Sequence, residues 1–339
     1  MPLMARDISA LIPHLKSPKK VLITTHAKPD GDAMGSSLAL KLLLEQLEHT
    51  VTVVVPTDYP DFLYWMPNNE QVLIYPDKES ECNSIIAGAD MLFCLDFNHL
   101  SRIKSMQAAV HNAKGIKVMI DHHLNPSDFD DYRLSKSSAS STAELVYEFY
   151  ETLKEDCSLN KDIAACIYTG IMTDTGSFRF DSTTARVHRI VADLVDQGIN
   201  VGRIHNLIYD SFDENRLRLL GYLLDKKMTV LPEYKAAYIS LNRKELLKFN
   251  VKTGDTEGIV NYPLGIRGIE VVAMITDRSN SGADQNEIRL SLRSIGDIAV
   301  NEISGKYFNG GGHKNAAGGQ VNTSIEDAIN KFVKAVSEL

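Results

Sequence analysis

Short apolar runs of strand length alternate, over the first half of the chain, with longer segments that repeat at helical period. KVLITT (20–25) reads as a first strand, and PDGDAMGSSLALKLLLEQLEH turns from it into a long helix. TVTVVV (50–55), DMLFCLD (90–96) and GIKVMID (115–121) are the second to fourth strands, with helical patterns between them. Strands alternating with helices predict βαβ units and a mostly parallel sheet. SSTAELVYEFYETLKE (140–155) opens with a capping-box pattern, Ser141 followed three residues later by Glu144. From about 160 to 226 the pattern is almost wholly helical. Then KMTVLPEYKAAYISL predicts a hairpin, RGIEVVAMITDR and NEIRLSLRS further strands, and DIAVNEISGKYF a helix. A glycine cluster, GGGHKNAAGG, and an amphipathic helix, SIEDAINKFVKAVSEL, close the chain. The expected architecture is α/β: a mostly parallel sheet domain over 1–190, a helical linker over 191–225, and a smaller α/β domain with a mixed sheet over 226–339.

Composition narrows the function classes. With 339 residues, 44% hydrophobic and 24% charged, the chain has material for two ordinary cores. It holds no run of about 18 apolar residues, and its start lacks the pattern of a signal peptide, so no membrane partner is expected. Cys82, Cys94, Cys157 and Cys166 form no CxxC pair, and Cys94 and Cys166 lie in apolar runs. Buried thiols point to a reducing, cytoplasmic home. A net charge of −8 argues against long duplex nucleic acid as a partner. A small anionic substrate entering a metal-filled pocket needs no basic surface, because bound ions supply the positive charge.

The chemistry concentrates in four short clusters: His26, Asp30 and Asp32 in THAKPDGDAMG, Asp96 in FCLDFN, Asp121-His122-His123 in VMIDHH, and Asp174 in IMTDTG. Three follow predicted strands and the fourth follows a helix. Each has a bland reading. Asp30 fits an Asp-Gly turn with a helix N-cap, Asp96 a cap after a strand, and Asp174 a helix end. Asp121-His122-His123 is harder to dismiss, since three titratable groups after VMI are costly to bury without partners. Their joint occurrence at one predicted sheet rim decides for a site, because ligands bind outside the carboxyl ends of parallel strands. Carboxylates and imidazoles together suit two divalent ions, Mn²⁺ ahead of Mg²⁺. A metal pair is the usual equipment for attacking phosphorus with water.

These four clusters resemble, in order and spacing, the motifs of the DHH phosphoesterase superfamily. GGGH at 310–313, with Ala316-Ala317-Gly318 after it, resembles the signature of the DHH-associated C-terminal domain. Within the superfamily the chain looks most like the bacterial nanoRNases, oligoribonucleases that also dephosphorylate 3′-phosphoadenosine 5′-phosphate. Family II pyrophosphatases end in a basic motif instead, and RecJ-type exonucleases are longer. The resemblance implies one metal on His26, Asp30 and Asp96, and a second on Asp32, Asp96, His122 and Asp174, with Asp96 bridging. It also implies that His123 faces the substrate phosphate. For Asp121 an orienting role and a plain structural one stand level.

The C-terminal domain is expected to grip the rest of a short RNA or dinucleotide. Gly310, Gly311 and Gly312 let backbone N–H groups approach a phosphate, and His313 stands beside them. Arg289 and Arg293 are an even number of residues apart and so project from one strand face. Phe178, Arg179, Tyr262 and Phe308 are candidates for lining a base. Two other readings compete: a phosphodiesterase for linear or cyclic dinucleotides such as pApA or cyclic di-AMP, and a metal-stabilised nucleotide sensor without turnover. The sequence leaves a homodimer open.

Overall fold

The run KVLITT becomes a strand buried on both faces, which is what a parallel sheet covered by helices on each side requires. In the computed structural model, which describes residues 6–279 and 287–339, the chain divides into two units, Met1–Ser211 and Phe212–Leu339. The strands of the first unit are β1 (Arg6–Asp7), β2 (Lys20–Thr25), β3 (Thr50–Val55), β4 (Leu73–Ile74), β5 (Met91–Leu95), β6 (Ile116–Asp121) and β7 (Tyr132–Ser135). They form a sheet ordered β1-β7-β6-β5-β2-β3-β4, with every pairing parallel. The pattern missed β1, β4 and β7. Two-residue strands carry no periodicity, and Tyr132–Ser135 alternates over too few residues to stand out.

Among the described residues this unit has seven α-helices: α1 (Gly31–Gln46), α2 (Glu79–Gly88), α3 (Gln107–Asn112), α4 (Thr142–Leu153), α5 (Lys161–Asp174), α6 (Ala185–Asp196) and α7 (Val201–Tyr209). Side chains alternate across each strand. Val21 and Ile23 enter a core with Met34 and Leu38 of α1, Phe149 of α4 and Ile167 of α5. Leu22 enters the opposite core with Ile86 of α2 and Val110 of α3. The chain runs from β2 outward to β3 and β4, then returns to β5 on the other side of β2. The boundary between β2 and β5 is thus the topological switch point, where an open parallel sheet leaves a crevice.

In the second unit α8 (Glu214–Tyr222) precedes β8 (Met228–Leu231) and β9 (Ala236–Leu241). They are followed by α9 (Arg243–Lys248), β10 (Val271–Asp277), β11 (Ile288–Ser294) and α10 (Val300–Phe308). The glycine cluster is not a bare turn: it forms β12 (Gly311–His313) and β13 (Ala316–Val321), and α11 (Ile325–Ser337) ends the chain. The sheet order is β12-β13-β11-β10-β9-β8, antiparallel throughout except between β9 and β10. One face packs Leu290 and Leu292 against Phe308 and Phe332. The other packs Val272 and Met274 against Leu219 of α8 and Leu246 of α9. Helices α6 and α7 pack with the first unit through Ile190, Leu194, Ile204 and Ile208.

Candidate metal centre

His26 follows the last residue of β2, Asp96 follows the last residue of β5, and Asp121 ends β6. Because β2, β5 and β6 are parallel neighbours, their carboxyl ends deliver these groups to one rim, at the switch point. Asp174 arrives as the last residue of α5. Glycines set how closely that helix lies against α1. A Cβ on Gly35 would stand 2.5 Å from Cys166 O and 2.9 Å from Gly170 N. A Cβ on Gly170 would stand 2.5 Å from the Ala143 side chain and 2.8 Å from Asp32 Oδ1. Backbone therefore meets backbone where α1 crosses α5, and the two helix ends bring Asp32 and Asp174 together.

Asp96 lies at the middle. Its Oδ2 is 3.3 Å from His26 Nε2, and its Oδ1 is 3.5 Å from His122 Nε2. His26 Nε2 is also 3.8 Å from Asp30 Oδ2, and His122 Nε2 is 3.2 Å from Asp174 Oδ2 and 3.9 Å from Asp32 Oδ2. The ligand atoms that gather within 4.8 Å of one another include His26 with Asp30 and Asp96, Asp32 with His122 and Asp174, and Asp96 with Asp121 and His123. Asp96 adopts a left-handed backbone, φ 62°, that aspartate tolerates better than most residues. That turn holds its N–H on Ile120 O at 3.0 Å.

The bland reading of Asp30 holds: it is the N-cap of α1, its Oδ1 accepting from Asp32 N and Ala33 N. One oxygen caps and the other faces His26. Asp32 is wholly buried and accepts from Thr142 N at 2.6 Å and Ala143 N at 2.8 Å, so the amino end of α4 holds its carboxylate. Thr142 Oγ1 donates to Asp96 Oδ1 at 2.9 Å. The sequence reading passed over Thr142, although the predicted cap at Ser141 marked a helix start whose N–H groups attract an anion. Ser141 does cap α4, but Glu144 bonds Ser140 through its N–H and its Oγ, so the box closes one residue early.

The imidazoles are oriented from behind. His26 Nδ1 is 3.0 Å from Ala27 O and His122 Nδ1 is 3.4 Å from Ala139 O. A carbonyl oxygen only accepts, so Nδ1 carries a proton and Nε2 is the nitrogen left to a metal; at His26 that Nε2 donates to Asp96 until a cation takes its place. Asp121 orients His123, its Oδ1 accepting from Nδ1 at 2.8 Å. Its Oδ2 is buried with no hydrogen-bond partner among the described residues.

The charge balance favours cations. Burial first, then the charges of Asp96, Asp174 and Asp30, push the Asp32 carboxyl well above the usual range, against the pull of the Ala143 N–H. Burial opposes ionisation of Asp96 too, but the hydrogen bond from His26 and the charges of His123, His26 and His122 hold its pKa well below the usual range. For His26, burial would lower the pKa, but Asp96 and Asp30 outweigh it and raise it. Without a cation Asp32 is thus the carboxyl that holds a proton to higher pH than Asp96 does. Hard carboxylate oxygens and borderline imidazole nitrogens, with more negative charge than one buried rim tolerates, fit a pair of divalent ions.

Arg102 also acts on this rim: its charge opposes protonation of His26. It stands six residues past Asp96, and no spacing rule singles it out. Among the base-lining candidates, Phe308 is fully buried in the second core and Phe178 packs against Tyr168 and His188, while Tyr262 is 55% exposed. Phe180, which the sequence reading overlooked, is 45% exposed and lies over Gly176, two residues beyond Asp174.

In the second unit Arg293, Ala316 and His313 are opposite one another across β11, β13 and β12 and share a face, as do Ser291, Gly318 and Gly311. Arg289 is on that same face, with Nε and Nη2 both 2.6 Å from Glu287 Oε1. The glycines have separate reasons. A Cβ on Gly310 would meet Gly318 O at 2.0 Å, and Gly312 has φ 142° with Ala316 O at 2.5 Å from such an atom. A Cβ on Gly311 would meet nothing within 4 Å. Close packing therefore requires Gly310 and Gly312, and Gly311 alone opens a space.

Residues 20–171 match the DHH family, N-terminal domain, and residues 233–339 match the DHHA1 domain. A crystal structure of an exopolyphosphatase-related protein from Bacteroides fragilis is 38% identical with a TM-score of 0.89, covering 97% of this chain and 95% of that one. The chain belongs to the DHH family of phosphoesterases, hydrolases that act on phosphoester bonds. It is also similar to two proteins called bifunctional oligoribonuclease and PAP phosphatase NrnA. The one from Thermus thermophilus is 28% identical over 94% of this chain and 89% of its own. The one from Bacillus subtilis is 28% identical over 89% of each. No helix among the described residues is long and apolar enough to cross a membrane.

Proposed function

We propose that this phosphoesterase hydrolyses very short oligoribonucleotides to mononucleotides and removes a phosphate from 3′-phosphoadenosine 5′-phosphate, using two divalent ions, Mn²⁺ foremost. The observation that carries the reading is Asp96, whose two oxygens face two different histidines. The named activity of the two relatives supports the substrate class. His26, Asp30 and Asp96 would hold one ion, and Asp32, Asp96, His122 and Asp174 the other. Bound there, the ions supply Lewis acidity to phosphoryl oxygens and lower the pKa of water. The remaining steps fall to the chain's own groups.

Asp121 holds the Nδ1 proton of His123, so the imidazole presents its Nε2 edge to the substrate phosphate in a fixed orientation. Arg102 adds positive charge beside His26. On the second unit Arg293 and His313, beside the space left open at Gly311, take a further phosphate. Arg289 joins only by releasing Glu287. The mixed nitrogen and oxygen donor set favours Mn²⁺ over the more strictly oxygen-seeking Mg²⁺.

The test is hydrolysis of 5′-labelled RNAs of two to five nucleotides and of about 25 nucleotides with Mn²⁺, at matched salt. Dedicated single-strand binders occupy about 4–16 nucleotides per fold, and a chain of net charge −8 offers a long strand little attraction. Short RNAs should be cleaved much faster. Equal or faster cleavage of the long strand would reject the reading.

A further inference from the structure

The second unit carries a pair of guanidinium groups that the functions assigned above leave unused. Leu241 of β9 is opposite Thr276 of β10. Two residues beyond each stand Arg243 and Arg278, both half-buried. Arg278 Nη2 reaches Thr256 Oγ1 at 3.5 Å, the outer limit of a hydrogen bond. Arg243 Nε is buried with no hydrogen-bond partner among the described residues.

The nearby acids Glu287 and Asp255 also serve other donors. Glu287 Oε1 holds both donors of Arg289. Asp255 Oδ2 accepts from Lys252 N at 2.7 Å. Burial, and next the charge of Arg243, lower the pKa of Arg278, so the two cations act against each other. The charges of Glu287 and Asp255 offset this only in part, and a further anion relieves two partly desolvated like charges. The guanidinium fork matches the oxygens of a phosphate.

We propose that Arg243 and Arg278 form a second phosphate site, which holds an oligonucleotide phosphate remote from the scissile one and sets the preferred substrate length. The inference rests on the oligoribonuclease reading. Register supplies the distance. Arg293 is opposite Val272, and Arg278 follows six residues later, about 20 Å at roughly 3.3 Å per residue. A nucleotide adds six backbone bonds against three for a residue, so it spans roughly 7 Å when extended. Three nucleotide steps therefore join the phosphate at Arg293 to the one at Arg278. A dinucleotide cannot span them; a tetranucleotide can.

The experiment uses the full chain with Mn²⁺ and measures kcat and KM for 5′-phosphorylated di-, tri-, tetra- and pentaribonucleotides. The double variant Arg243→Ala, Arg278→Ala should raise KM about tenfold for tetra- and pentanucleotides, one bidentate charge-assisted contact's worth, with kcat kept and the dinucleotide unaffected. Arg278→Lys, which keeps the charge without the fork, should fall between. A uniform effect at all lengths, or none, overturns the length-setting role. Tripolyphosphate binding in EDTA, measured by calorimetry, tests the site separately from turnover. Wild type should bind one equivalent more than the double variant, which keeps the phosphate site at Arg293 and His313; equal stoichiometry, or no binding by either, overturns the site. If wild type cleaves no short RNA while this binding is lost in the variant, the substrate reading fails and the anion site stands. Removing the mutual repulsion should leave Tm unchanged or raised, and a fall of several degrees would make the pair structural and end the proposal.

Discussion

Gly35→Ala separates local preference from tertiary constraint at the metal centre. Inside a helix, alanine is favoured over glycine by about 1 kcal/mol, so propensity alone predicts a more stable protein. Geometry predicts the reverse. The new Cβ would stand 2.5 Å from Cys166 O, whereas ordinary contact begins at 3.4 Å. The obstructing atoms are backbone and cannot rotate aside, so α1 and α5 must part by roughly 0.9 Å in a close-packed interior. Overpacking of this kind costs about 1–3 kcal/mol; with the propensity gain deducted, a net loss of about 0–2 kcal/mol is expected. Activity should suffer more, because Asp32 and Asp174 are at the ends of the two helices that separate. Misplacement by about 1 Å is worth about 10²-fold in rate, equivalent to about 2.7 kcal/mol of transition-state stabilisation. Urea denaturation at constant m gives the first quantity, and kcat/KM on a dinucleotide with Mn²⁺ gives the second. Gly305→Ala is the control. It is exposed within α10, its nearest neighbour would be 3.8 Å from a Cβ, and it should gain up to about 1 kcal/mol. A Gly35→Ala protein as stabilised as that control and fully active would refute the reasoning.

Other outcomes follow from the same geometry. Asp96→Ala should abolish Mn²⁺-supported hydrolysis in a folded protein, while Asp121→Asn should lose about 10–100-fold, as expected for a partner that orients a site histidine; comparable losses in kcat would discount the central role of Asp96. Because burial and the charges of Asp96, Asp174 and Asp30 raise the Asp32 pKa, Asp32 holds its proton to higher pH than an ordinary carboxyl. Metal binding should release protons and weaken as pH falls, and calorimetry in buffers of different ionisation enthalpy should show a smaller release for Asp32→Asn. In the metal-free fold the sign reverses: a raised carboxyl pKa contributes stability that is present in acid and is lost as pH rises through the folded value. Gly312→Ala should lose more than about 1 kcal/mol to its left-handed backbone, while Gly311→Ala should stay within about 0.5 kcal/mol; thermal melts of the two would separate packing from phosphate access.

The four buried parallel strands, the long helix after the first of them, and the candidate ligands at strand ends were all legible from periodicity and side-chain chemistry. Those features are local: a run of five or six apolar residues is a strand wherever it packs, and an aspartate after it lies at a sheet rim. The same locality explains the misses. Tyr132–Ser135 is a strand because β6 and β1 pair with it, and GGGHKNAAGG is a hairpin because β11 supplies a ladder for β13; neither segment has the side chains to signal it. Asp30 could be read as a cap or as a ligand, and only the fold shows that its two oxygens point to separate partners. Sequence could not show that Thr142, more than a hundred residues from Asp32, would hold that carboxylate, nor that Asp121 would orient His123. Why the Asp32 pKa is raised, and why Gly35 must lack a side chain, depend on neighbours brought together from distant segments. Local propensity acts through adjacent residues, whereas burial, charge coupling and helix approach act between segments far apart in the chain.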